Sequence, residues 1–99
     1  MNFEVLENLP TIEDVDSQEN PLAIAHFSNG RWDWYVLGGR KLEDDSPYEN
    51  YSLFGLVNGI EKELGFFTLK EILNHGAMLD YDFAPIGVFD IYPDFDLRR

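Results

Sequence analysis

His26 and Asp33 form the first pair in this chain whose types suggest chemistry, since an imidazole held by a carboxylate is the arrangement of a general base. Such a base needs a group to activate, and no Ser, Cys or Lys stands where His26 would reach it. The pair fits an ordinary contact between neighbouring strands. His75 closes a helical run, where a cation favours the helix dipole. Carboxylates cluster at Glu43-Asp44-Asp45 with Glu49, at Asp80 with Asp82, and at Asp90, Asp94 and Asp96. A calcium loop requires oxygen ligands at alternate positions, a turn glycine and a closing bidentate Glu, and none of these clusters has that order. With no cysteine, thiolate metal sites and disulfides are excluded. Phosphate-binding glycine loops, HExxH and GxSxG are all missing. Gly38-Gly39 precedes Arg40 and Lys41, but no helix start follows to hold an anion, so it reads as a turn. The residues predict a protein that is not an enzyme, with no catalytic, cofactor-binding or metal site.

The carboxylates matter more as a field. Nineteen acidic residues against seven basic ones give a net charge of −12, and residues 1–20 hold six acids and no base. Such a chain repels nucleic acid and anionic membranes and attracts basic surfaces. Acidity also keeps an aromatic-rich protein soluble, which is the plainer reading. Hydrophobic residues make up 44% and aromatics 15%, too many for a disordered acidic tail. No run of about 18 apolar residues occurs, and the opening MNFEVLENLP lacks the basic start of a signal peptide. The expected location is the cytoplasm.

The elements that must position these groups are legible from residue 22 onward. LAIAHFS and RWDWYVL flank Asn29-Gly30, a hairpin signal of the type I′ kind. A two-residue turn there pairs Phe27 with Trp32, Ala25 with Trp34 and Ala23 with Val36 on one face. On the other face it sets His26 opposite Asp33, Ile24 opposite Tyr35 and Leu22 opposite Leu37. Gly38-Gly39 then ends the strand. YSLFGLV and IEKELGFF flank Asn58-Gly59 in the same way. That register places Leu53 opposite Leu64 and gives Tyr51, Leu53, Val57, Ile60, Leu64 and Phe66 one core face. The other face carries Phe54 opposite Glu63 and Leu56 opposite Glu61. Thr68 and Glu71 form a capping box before a helix that buries Leu69, Ile72 and Leu73 and stops at Gly76. IGVFDIY, between Pro85 and Pro93, reads as a last strand. Upstream, Phe3, Leu6 and Leu9 suggest a helical turn docking on the domain, and TIEDVDSQENP an acidic loop or second short helix. The expected fold is α+β: a small antiparallel sheet of two Asn-Gly hairpins plus a final strand, packed with one short helix. One domain spans 1–99, with an acidic segment at 1–20 and the α+β core at 21–93.

Three blocks of this core carry a resemblance: Trp32-Asp-Trp34-Tyr35, Phe54-Gly-Leu-Val57, and Glu61-x-Glu63-Leu-Gly-Phe-Phe-Thr-Leu-x-Glu71. In this order they resemble an uncharacterised domain-of-unknown-function family of plasmids, phages and conjugative elements, with its WxWY, FGLV and ExELGYFSLxEL pattern. The resemblance covers roughly residues 22–75. It implies a mobile-element context and a shared fold, and brings no activity with it. Gly38-Gly39 departs from the acidic residue that follows WxWY in the family, and the family's Arg-Asp pair before the last strand has no counterpart near Ile86.

Charge, fold and resemblance together point to an acidic phage- or plasmid-encoded binding protein. Its expected role is to inhibit a nucleic-acid-binding enzyme of host defence, a CRISPR nuclease or restriction enzyme, by mimicking nucleic acid. Alternate strand residues project the same way about 6.6 Å apart, close to the step between phosphates of one strand. Asp44, Asp45, Glu49, Glu61 and Glu63, with the apolar Phe54 and Leu56, are the expected partner-binding residues. The expected partner is a basic-grooved nucleic-acid-binding protein, with no direct contact to nucleic acid or membrane. The alternative is an accessory or adaptor protein that binds a partner through an aromatic-acidic sheet face without inhibiting it. Oligomeric state is left open.

Overall fold

A computed structural model describes residues 3–43 and 50–93. The chain forms a 3-10 turn (Glu4–Leu6), α1 (Ile12–Asp16), β1 (Leu22–Ala23), β2 (Ala25–Ser28), β3 (Asp33–Leu42), β4 (Asn50–Asn58) and β5 (Lys62–Thr68). α2 (Leu69–Asn74), β6 (Met78–Leu79), β7 (Ile86–Gly87) and α3 (Val88–Ile91) follow. The fold is α+β, with a five-stranded antiparallel sheet in the order β5-β4-β3-β2-β6 and a two-stranded sheet of β1 with β7.

The central strands are apolar on both faces, and each face has its own cover. On one, Phe27, Trp34, Val36, Leu53 and Phe67 pack against the 3-10 segment and α2. Phe3 meets Phe27 edge to face at 5.5 Å. On the other, Tyr35, Leu37 and Leu56 pack against Val15 of α1 and Val88 of α3. Phe3, Leu6 and Val15 of the acidic N-terminal segment are therefore part of the core, as the spacing of Phe3 and Leu6 suggested. α1 starts with a capping box of its own, in which Thr11 Oγ1 accepts from the Asp14 backbone N–H and Asp14 Oδ2 from that of Thr11. The expected capping box at Thr68 and Glu71 is present.

Both hairpins lie where the Asn-Gly pairs placed them, but neither turn is type I′. That turn needs positive φ at both central residues, and no non-glycine among the described residues has it. The first connection is a four-residue loop, Asn29–Trp32. Its Asn29 side chain accepts from the backbone N–H groups of Arg31 and Trp32, an Asx arrangement that replaces the tighter turn. Pairing shifts by two, to Ala25↔Val36, His26↔Tyr35 and Phe27↔Trp34. An even shift keeps the paired residues of β2 and β3 on their expected faces, whereas Ala23 and Ile24, ahead of β2, have exchanged theirs.

The second connection, Gly59–Glu61, has three residues, and the odd shift exchanges the faces of β5. Phe67 pairs with Leu53 and Leu64 with Leu56, so Leu53 and Leu64 lie on opposite faces. Glu63 pairs with Val57, not Phe54, and Glu61 sits in the loop, not opposite Leu56. The adjacent pair Phe66-Phe67 lets either register bury an aromatic ring. The real one buries Phe67 and leaves Phe66 69% and Ile60 93% exposed.

Four further expectations are corrected. β3 does not end at Gly38-Gly39; it runs to Leu42 through a bulge at Leu37. Pro10 passes directly over these glycines, accepting from the Gly39 N–H at 2.9 Å, and a Cβ at Gly38 would lie 2.6 Å from the Pro10 carbonyl oxygen. IGVFDIY is a strand only at Ile86-Gly87. Asn20 Oδ1 accepts from the Phe89 N–H and turns the rest into α3, which brings Val88, Ile91 and Tyr92 onto the sheet. LAIAHFS is split at Ile24 between the two sheets, and three short helices stand where one was expected.

The corrected register yields a test. Leu56→Ala and Trp34→Ala, at buried positions on opposite faces, are each expected to cost about 2–5 kcal/mol. Ile60→Ala is expected to stay within about 0.5 kcal/mol of the parent. Urea denaturation separates these outcomes, and a large loss at Ile60 would restore the two-residue turn.

Candidate functional site

A groove of about 580 Å³ opens on the face of Trp34, between the β2–β3 loop and α2. Trp34, Val57 and Gly65 form its floor, and Trp32 with Asn29 one wall. Ile72, Glu71 and His75 of the α2 region form the other, with Glu63 and Phe66 at the β5 side. Asn29 Nδ2 donates to the His75 carbonyl at 2.9 Å and ties the two walls together. Trp32 is 39% exposed, and its indole lies over Gly59, where any Cβ would sit 2.6 Å from the six-membered ring. Gly59 thus fits the turn because it seats an indole, without positive φ. Gly65 has no such neighbour. A Cβ added there meets nothing within 4 Å, so the missing side chain is what opens the groove.

Glu63 is exposed at the groove mouth. Glu71 is exposed on the facing wall, with Oε1 accepting from the Thr68 N–H in the capping box. The site is aromatic inside and acidic at its edge.

A second constellation lies on the opposite face. His26 Nε2 meets Asp33 Oδ1 at 2.7 Å and Nδ1 meets Asp80 Oδ2 at 3.0 Å. Asp33 lies diagonally across the strand pair, because Tyr35 takes the directly opposite place and stacks on the imidazole at 4.5 Å. Both ring nitrogens are engaged by carboxylates, so the arrangement is a clamp between β2, β3 and the segment after β6. The bond from His26, reinforced by the Asp82 backbone N–H, holds the Asp80 carboxyl below its usual range. Burial, with the Tyr92 hydroxyl beside it, pushes the Tyr35 phenol well above its own.

The expected partner-binding residues are not brought together. Leu56 is fully buried and Phe54 half-buried on the opposite face from Glu63, so these two apolar residues form no surface patch with it. Glu61 is exposed in the β4–β5 loop. Asp44, Asp45 and Glu49 lie outside the described residues. Sequence reasoning missed Trp32 and Phe66 as surface residues, and Gly65, Glu71 and His75 as parts of one hollow. The readable signal was Gly65 itself, since a glycine inside a strand of larger residues often marks a close approach or a space.

Folding lowers the Asp80 pKa, so its ionised form stabilises the fold at neutral pH. That contribution disappears as acid protonates it, below about pH 4. Asp80→Asn is expected to lower the melting temperature at pH 7 and to flatten its fall on acidification; an unchanged pH profile would count against the clamp. Among the described residues no helix is long and apolar enough to cross a membrane, and no group of three His, Cys, Asp or Glu could hold a metal ion. Compared with known protein families, with curated proteins and with solved structures, the chain finds no match.

Proposed function

We propose that this chain is an acidic binding protein that occupies the basic, nucleic-acid-binding groove of a partner. The partner class is a nucleic-acid enzyme of host defence, a CRISPR nuclease or restriction enzyme, and the binding inhibits it. The observation that carries the reading is the disposition of charge. A net charge of −12 sits on a small fold, and every described carboxylate except Asp33 and Asp80 is exposed. Those two are held by His26. Carboxylates displayed on a folded support can replace backbone phosphates in a basic cleft, and they speed encounter with it. The order of the WxWY, FGLV and ELGFF blocks supports a plasmid or phage context for such a protein.

A second reading is favoured by the groove. An aromatic hollow with an acidic edge suits an adaptor that grips a partner without displacing anything from it, here centred on Trp32, Trp34 and Glu63 in place of Phe54 and Leu56.

Competition separates the two. The partner is captured from a bacterial lysate, purified and titrated against this protein at increasing salt. Under the inhibitor reading the association rate falls at least about tenfold between low and physiological salt. Added DNA or RNA then displaces the protein, and replacing Asp44, Asp45 and Glu49 by Asn or Gln weakens binding. Simultaneous binding of nucleic acid and this protein to the partner would overturn inhibition by mimicry and leave the adaptor.

A further inference from the structure

We infer that the groove between the β2–β3 loop and α2 is a receptor for one arginine side chain presented by a partner protein. This rests on the reading of a basic partner above, but not on competition with nucleic acid.

The shape of the groove comes first. Gly65 lies in the floor, has no positive φ that would demand glycine, and would accept a Cβ without contact. Any larger residue there would occupy the hollow. The strand forgoes a side chain at this position, which leaves open space beside Trp34 and Val57. It is also held in shape. The Asn29–His75 bond fixes the two walls, and Trp32 is seated on Gly59, so binding requires little ordering of the site.

Chemistry selects the occupant. Trp32 offers exposed aromatic surface, to which a cation is attracted over the ring, while the Phe66 ring packs on Phe54 at 5.1 Å on the other face of the sheet. Glu63 stands at the mouth and, among the described residues, has no hydrogen-bond or ion-pair partner. Glu71 faces it from α2 with only Oε1 used in capping. Among the described residues no Lys or Arg lines the groove; even Arg31, next to Trp32 in the loop, does not. An aromatic hollow flanked by two carboxylates, with no Lys or Arg among its described lining residues, is complementary to a cation from outside. Arginine suits it better than lysine. A guanidinium is planar, stacks on an indole, is weakly hydrated, and can still present its edge to a carboxylate as a two-pronged donor. An ammonium is a hydrated point charge that would lose water to enter.

The test needs neither partner nor nucleic acid. Blocked arginine (the N-acetyl, N-methylamide form) is titrated into the 15N-labelled protein, and the two indole N–H signals of Trp32 and Trp34 are followed. Saturable shifts of both are expected, with an affinity on the order of millimolar for so small a probe. Blocked citrulline, with the same outline and no charge, is expected to bind at least about tenfold more weakly, because a charge-assisted bond is lost. Glu63→Gln is expected to cause a similar loss. Gly65→Val is expected to abolish the shifts while the other amide signals stay in place. If that variant does not fold, Trp32→Ala, at a partly exposed loop position, is expected to abolish the Trp34 shift.

The inference is overturned if arginine produces no saturable shift, or if citrulline or blocked leucine binds as tightly. It is overturned equally if folded Gly65→Val binds like the parent. Failure here leaves inhibition by mimicry standing, while success here with failed nucleic-acid competition leaves the groove to an adaptor.

Discussion

The rest of the structure depends on the need to cover β3 and β4 on both faces. Trp34 and Val36 point one way from β3, Tyr35 and Leu37 the other, and all four are buried. A sheet with one solvated face would need only one layer. Here two covers must come from a chain of 99 residues, and they are assembled from short pieces. The 3-10 segment and α2 close one face, and α1 and α3 the other. None of these helices is long enough to be stable alone, so each exists because the sheet gives its apolar side somewhere to go. Acidic residues take the outer sides by default, which is how α1 can combine Glu13, Asp14 and Asp16 with a buried Val15.

Much of this was legible in the sequence, and the failures have identifiable causes. The Asn-Gly pairs located both hairpins because polar, flexible residues between apolar runs admit little else. Thr68 with Glu71 located α2, since a capping box is a local device whose partners lie three residues apart. Loop length was not legible. The Asn29 side chain bonds into its own loop and stretches it to four residues, and the even shift did no harm to the face assignment of the paired residues of β2 and β3. The β4–β5 loop changes by an odd number, and Phe66-Phe67 gives an aromatic to the core in either register, so periodicity could not arbitrate. α3 was hidden for another reason: its first turn is bonded by Asn20, a residue 69 positions earlier.

The candidate site was legible only in part for the same reason. Glu63 was singled out for its charge, but its neighbours followed from the register. With β5 turned over, Glu63 leaves Phe54 and joins Gly65 and Trp34 beside α2. The His26–Asp33 contact survived its own register error because a diagonal neighbour remains within reach of the imidazole, whereas Asp80 lies 54 residues away and nothing local announced it. A groove is a property of several elements at once, and that is the kind of feature a linear pattern conceals.

The pairing of β1 with β7 bears on how the molecule is made. Leu22 and Ala23 find their strand partners in Gly87 and Ile86, and Pro21 accepts the Val88 N–H at 2.8 Å. During synthesis from the amino end, β2 to β5 can assemble by neighbouring contacts while the earlier segment waits. Until residues 86–91 emerge, the Tyr35 and Leu56 face lacks the cover that α3 provides. A nascent chain at that stage displays an apolar sheet face to whatever is nearby, the condition in which growing proteins aggregate or engage chaperones. The emergence of residues 86–91 therefore bears on whether the earlier elements stay in solution.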